Sequence, residues 1–199
     1  MALNVPARGD DRWRFRTLGH DDAAELQRFF DANPEYFLSV DGEPPAADAA
    51  AHELVDLPPA GMPYREMLLL GVARRDDPGG TLVAMATVVE GFFSDRVWHI
   101  GLFIVATSLH GSGAAQEIHR ALERWMVERG ASWVRLGVVA GNARAERFWE
   151  RSGYVETRRR GPMVMGRKTN VLRVMVKPLA GGSLDEYLAL VERDRPSAP

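Results

Sequence analysis

Two glycines lie two places apart in His110-Gly111-Ser112-Gly113-Ala114-Ala115, just after the apolar run Val97 to Val105 and just before a helical run. Glycine takes backbone angles that other residues resist, and the small residues Ser112, Ala114 and Ala115 let a ligand approach the main chain. The first N–H groups of a helix lack partners within it, and the helix dipole puts partial positive charge there. Strand, glycine loop and helix N-terminus in that order make a seat for a phosphate or pyrophosphate. The same segment also reads as a tight strand-to-helix connection without a ligand, and a lone Gly-x-Gly does not separate the two. It is not a P-loop, because no Lys-Ser or Lys-Thr follows. It is not the dinucleotide fingerprint either, because Gln116 stands where a third glycine or alanine belongs.

The elements that must position this loop can be read along the chain. Trp13 to Leu18 alternates as a strand. Asp22 and Glu25 have capping-box spacing ahead of a helix whose Leu26, Phe29 and Phe30 share a face, and Asn33-Pro34 ends it. Ala46 to Asp56 forms a second helix, closed by Pro58-Pro59-Ala60-Gly61. Glu66 to Arg74 and Thr81 to Glu90 form a hairpin across Asp76-Asp77-Pro78-Gly79-Gly80. Val97 to Val105 is apolar on both faces and reads as a central strand. Gly113 to Glu128 is the clearest helix, with Ile118, Leu122, Trp125 and Met126 in one stripe and Gly130 at its C-terminal cap. Trp133 to Val139 is a strand, Ala143 to Ser152 a helix capped by Asn142, and Tyr154 to Arg160 and Val171 to Lys177 are closing strands. Ser183 and Glu186 open a terminal helix with the stripe Leu184, Tyr187, Leu188 and Val191, packed on its own domain or on a second subunit, so a homodimer stays open. This order predicts an α/β domain over residues 1–179, a mixed sheet with helices on both faces, and a tail over 180–199.

The segment Gly141-Asn142-Ala143-Arg144-Ala145-Glu146-Arg147-Phe148-Trp149-Glu150-Arg151-Ser152-Gly153-Tyr154 follows the next strand. Together with the glycine loop it resembles the GNAT acetyltransferase superfamily. The loop resembles that family's Gln/Arg-x-x-Gly-x-Gly/Ala. The later segment resembles its Asn-x-x-Ala-x-x-aromatic-(Tyr/Trp)-x-x-x-Gly-(Phe/Tyr) helix. One helix and one strand separate them, and the likeness runs from Val97 to Tyr154.

The resemblance implies a mostly antiparallel sheet whose two central strands splay apart to admit acetyl-CoA. The main chain of Phe103, Ile104 and Val105 would bond the pantetheine arm. The loop from His110 through Gly111, Ser112, Gly113, Ala114 and Ala115 would hold the pyrophosphate. Asn142 would face the cofactor, and Phe148 and Trp149 would flank the thioester. Gly101 and Gly137 suit strands approached closely by a ligand, or a bulge without one. Two positions depart from the family. His110 stands where Arg or Gln is usual. Trp149 stands where a tyrosine often protonates the departing thiolate; indole cannot, so another group or water does this, or the step proceeds without an acid. Trp149 reads equally as core packing beside Phe148.

The implied reaction is direct transfer of an acetyl group to a primary amine of a small molecule or peptide, which needs a base. His99, on the strand face of Gly101, Phe103 and Val105, is the candidate, and it reads equally as a hydrogen-bonded core histidine; Glu90 is a weaker one. The acceptor would lie beside Glu35, Tyr36 and Phe37 in the connection after the first helix, residues that also suit a core, with Pro58 to Pro63 closing over it. Arg158, Arg159, Arg160, Arg167 and Lys168 form a basic stretch: a solvated face, or a contact for the cofactor's ribose phosphate or an acidic partner. The rival from another class is a non-catalytic acetyl-CoA sensor or interaction module. A nucleotide-binding domain rests on the glycine loop alone.

Composition sets the outer limits. The chain has 199 residues, 46% hydrophobic and 26% charged, which suits one globular domain. Lys plus Arg number 25 against 27 Asp plus Glu, without the basic excess of a general nucleic-acid binder. With no cysteine, disulfides, thiolate zinc sites and a cysteine nucleophile are excluded, and no metal is expected. Met1 to Arg16 has no apolar core of a leader, and Leu82 to Val89 is far shorter than the roughly 20 residues that span a bilayer, so no membrane contact and a cytoplasmic location are expected.

Overall fold

The computed structural model describes residues 12–198; the opening residues up to 11, read above for a leader, lie outside them. Strand β1 is Trp13–Thr17, followed by helices α1 (Ala23–Ala32), α2 (Glu35–Val40) and α3 (Ala49–Val55). Strands β2 (Glu66–Arg74), β3 (Leu82–Glu90) and β4 (Val97–Val105) come next, then α4 (Ala114–Glu128), β5 (Trp133–Val139) and α5 (Ala143–Arg151). The hairpin β6 (Val155–Met165) and β7 (Lys168–Pro178) and the tail helix α6 (Leu184–Leu190) complete the described chain. The sheet order is β1-β2-β3-β4-β5-β7-β6, antiparallel throughout except between β4 and β5. It is the mixed, mostly antiparallel sheet expected of the GNAT fold.

Helices cover both faces because the strands are apolar on both. Leu122, Trp125 and Met126 of α4 and Trp149 of α5 pack on Trp98, Ile100, Val134 and Leu136. On the other face Leu26, Phe29 and Phe30 of α1, Phe37 of α2 and Ala50 of α3 pack on Leu69, Met85, Leu102 and Ile104. The tail's Tyr187 and Val191 close over Val97, Trp133 and Val176. The α6 stripe is therefore used within the chain, and it no longer argues for a second subunit.

Three expectations need correcting. Asp22 and Glu25 do not form a capping box: both carboxylates take Arg16, each at 2.6 Å, and Asp22 also accepts from the Gly19 amide. Residues 35–40 are a helix rather than plain connection, because Pro34 fixes the backbone at its start. The last two strands are longer than read and form one hairpin, in which Met163 pairs with Asn170 and Met165 with Lys168 beyond Gly161-Pro162.

One feature of the sheet positions the site. The β4–β5 ladder runs only from Val97↔Trp133 to Ile100↔Leu136, and the next residues are Gly101 and Gly137. On its other edge β4 shifts register at the same point, Val88 facing Ile100 and Thr87 facing Leu102, so Gly101 is a bulge. From here the two parallel strands separate.

Candidate active site

The gap is occupied by two adjoining cavities. The narrower, about 240 Å3, runs along Phe103, Ile104 and Val105 to the loop and the start of α5. The wider, about 590 Å3, lies between the sheet and the α1–α3 layer. Tyr36, Phe103, Asn142, Ala145 and Trp149 line both.

The glycine loop forms as its sequence requires. Gly111 and Gly113 have φ of 79° and 87°, the left-handed region that favours glycine. Gly113 is the N-cap of α4 and supplies no side-chain cap. The amides of Ser112 and Ala114 turn inward, to the Leu109 carbonyl and the Ser112 hydroxyl, each at 3.3 Å. Among the described residues the amides of Gly111, Gly113 and Ala115 have no acceptor, and these three residues line the narrow cavity while Ser112 and Ala114 do not. Unpaired N–H groups at alternate positions thus belong to residues around one space at a helix N-terminus, where a diphosphate could take them.

His110 ties this loop to its strand. Arg144 donates to His110 Nδ1 at 2.9 Å, so the ring proton sits on Nε2 and is donated to the Val105 carbonyl at 3.0 Å. Both ring nitrogens are used within the protein, and Arg144 is the side-chain cation at the cavity wall. Reading the sequence missed Arg144; its place in the first turn of the helix that faces the loop is the signal that could have found it.

Asn142 caps α5 by accepting from the Ala145 amide and donates to the Ser39 hydroxyl, both at 3.2 Å. It links the motif helix to α2 across the cleft. Phe148 lines the narrow cavity alone and stacks on Phe103, with ring centroids 5.9 Å apart. Trp149 belongs both to the core, packed against Phe148 and Tyr154, and to the wall of both cavities.

The residues read as acceptor-lining separate. Phe37 lines the wide cavity, and Tyr36 lines both. Glu35 faces the narrow cavity only, where the Thr107 hydroxyl donates to it and, with the charge of Arg144, holds its pKa down. Neighbouring Asn33 accepts from the Thr107 amide at 2.7 Å, so this corner fixes α2 to the end of β4. Pro58, Pro59 and Met62 are part of the wide cavity's wall.

The two candidate bases also part company. His99 lines the wide cavity, stacked on Phe92 with its Nδ1 3.1 Å from the Arg135 carbonyl. Burial and the Arg135 charge push its pKa down to about 3. Glu90 reaches neither cavity: Arg65 and Arg129 hold its two oxygens at 2.6 and 2.7 Å. A carboxylate not singled out in the sequence, Glu53 of α3, does line the wide cavity. The Thr87 hydroxyl donates to one of its oxygens, while burial and the charge of Asp56 raise its pKa.

Among the described residues no group of His, Asp and Glu side chains could hold a metal, and no helix is long and apolar enough to cross a membrane. No curated protein matches the sequence significantly. Solved structures do match in fold. An acetyltransferase from Thermus thermophilus is 23% identical, with TM-score 0.62 over 84% of this chain and 97% of that one. The ribosomal-protein-S18-alanine N-acetyltransferase from Escherichia coli is 14% identical, with TM-score 0.61 over 87% and 97%. Aminoglycoside acetyltransferase AAC(6')-Ib, solved with coenzyme A, is 16% identical, with TM-score 0.60 over 91% and 98%. A family model, acetyltransferase (GNAT) family, matches residues 26–154, a span holding the splayed strands, the glycine loop and the Asn142 helix, and the chain belongs to that family of acetyl-CoA-dependent acetyltransferases.

Proposed function

We propose that this chain passes an acetyl group from acetyl-CoA straight to a primary amine held in the wide cavity, both substrates being bound together. The observation that carries this reading is the junction: residues with three unpaired amides line one cavity, a second and wider cavity adjoins it, and the two share a wall. Holding both reactants there lowers the barrier by roughly 7–11 kcal/mol in favourable cases. Gly101 and Gly137 keep the floor of the wide cavity open. A Cβ at either meets protein only at 3.7 Å, so what the missing side chain preserves is the space above the sheet.

The amides of Gly111, Gly113 and Ala115, with Arg144, would hold the diphosphate, and the unpaired edge of β4 beyond Ile100 would hold the arm. Bound there, acetyl-CoA supplies the activated acyl group. A main-chain N–H of that same edge would stabilise the oxyanion as the amine attacks.

Proton traffic falls to two residues. Of the five that line both cavities, only Tyr36 carries an acidic O–H. Burial and the charges of Glu53 and Asp41 raise its pKa, so it stays protonated. It takes over the task that Trp149 cannot perform. Glu53 is the better base than His99, because a carboxylate of raised pKa keeps a proton that an imidazole of pKa about 3 gives up. The acceptor attacks as the free amine, its ammonium having given one proton to solvent; as nitrogen bonds to the carbonyl carbon and the carbon–sulfur bond breaks, Glu53 takes a second proton from nitrogen and Tyr36 gives its own to sulfur. Glu53 then returns a proton to the phenolate, and the site is restored.

The test is thiol release by Tyr36→Phe. We expect kcat to fall about a hundredfold or more with the acetyl-CoA-induced rise in Tm unchanged. Full turnover by this variant removes Tyr36 from the reaction. No stabilisation of the unaltered protein by acetyl-CoA removes the reading as a whole.

A further inference from the structure

The wide cavity carries charges of both signs. Glu53 and Asp56 stand at and just after α3, Asp41 stands at the end of α2 beside the β6–β7 hairpin, and the sheet side carries Arg135 and Arg160. The strand register puts the cations together. Arg135 of β5 faces Val176 of β7, and Arg158 and Arg160 of β6 face Val174 and Leu172 of the same strand. Partners across a ladder share a face, so all three arginines stand on the face that carries Gly137, opposite Val174. Arg193 joins them from the tail, where its backbone carbonyl accepts from the Arg158 guanidinium.

Of these cations, Arg160 is the under-matched one. The carboxylate acting on Arg160 is Asp194, and Asp194 is already committed. It accepts from Arg135 at 2.6 and 3.3 Å and from the Tyr187 hydroxyl. The Arg160 side chain makes no hydrogen bond or ion pair with any described residue. Burial and the like charges of Arg193, Arg135 and Arg158 push its pKa down. A half-buried guanidinium on a cavity wall, crowded by its own kind, is matched only when an anion arrives, and its planar fork suits a carboxylate or similar acid. Apolar side chains, including Met62, Met67, Met163 and Leu172, also line the cavity.

We propose that the acceptor is an amine bearing an acidic group, its ammonium toward Glu53 and its carboxylate or equivalent anion on Arg160, with an apolar body between, as in an amino acid or short peptide. This rests on the reading of the wide cavity as the acceptor site. It disfavours acceptors that carry no anion, spermidine and kanamycin among them, because they leave Arg160 unmatched.

The experiment is thiol release by the full chain with acetyl-CoA and a defined panel: leucine, methionine, phenylalanine and leucyl-phenylalanine, the amide of each, spermidine and kanamycin. We expect the free acids to exceed their amides in kcat/KM by about ten- to a hundredfold, mostly through KM. Arg160→Gln should abolish that advantage, with its acetyl-CoA-induced Tm rise intact as evidence of folding. The proposal is overturned if no acid-bearing amine is turned over, if the amides or polycations serve as well, or if Arg160→Gln keeps the preference. Stabilisation by acetyl-CoA and turnover of the other amines would leave the acetyltransferase reading standing; loss of both would sink that reading instead.

Discussion

The two cavities are built from different materials. The narrow one offers unpaired main-chain groups besides its side chains: a strand edge beyond the ladder, three amides without an acceptor and a helix N-terminus. Those groups are chemically the same in any sequence that folds this way, so they suit a ligand common to a whole family. The wide one is made of side chains brought from α2, α3, the loop after α3, and strands on both sides of the gap. Its charges and its methionines are properties of the side chains that this sequence puts there. In the proposed reading, backbone holds the coenzyme and side chains choose the acceptor.

The sharpest way to probe this division is on the wide side. Glu53→Gln should lower kcat by about a hundredfold and leave acetyl-CoA binding alone, because it removes the base without touching the loop. The sign of the pH effect follows. Glu53 works only when ionised and its pKa is raised, so kcat should climb as pH rises through that value, and the acidic limb should vanish in the variant. An unchanged acidic limb would assign it to another group.

On the narrow side the effect should be smaller and of the opposite kind. Gly113→Val forces a branched side chain into φ 87°, at a cost of roughly 1–2 kcal/mol. The Kd for acetyl-CoA should rise about five- to thirtyfold, while kcat at saturation moves little. A fall in kcat with unchanged Kd would show that the loop does more than hold the diphosphate. The smallest effect should come from His99→Gln, where kcat changes by less than about threefold and the pH profile keeps its shape, since an imidazole with pKa near 3 is neutral throughout the working range. A large loss there would restore His99 as the base in place of Glu53.

The division also explains what could be read from the residues alone. The loop and the Asn142 helix were legible because their functions are local: glycine at positive φ, an uncapped α4 and a capped α5 are each written within a few consecutive residues. The splay was legible in outline, since Gly101 and Gly137 end the β4–β5 ladder. Glu53 was not, because nothing in its own stretch says that α3 will bring it to Thr87, which is 34 residues away. Arg160 was seen only as part of a basic run, because its lack of a carboxylate depends on Asp194 being taken by Arg135 and Tyr187. Glu90 looked available at its strand end; the two arginines that occupy it come from a loop and from the end of α4. Residues that act within one element announce themselves, whereas residues that act across elements need the fold.

The central claim is that alternate amides of one loop grip the diphosphate of coenzyme A. Amide proton and nitrogen shifts recorded while coenzyme A is added test it directly. The account predicts the largest downfield proton shifts at Gly111, Gly113 and Ala115, with smaller changes at Ser112 and Ala114, whose N–H groups already have partners. Saturable binding with those three resonances unmoved would contradict it.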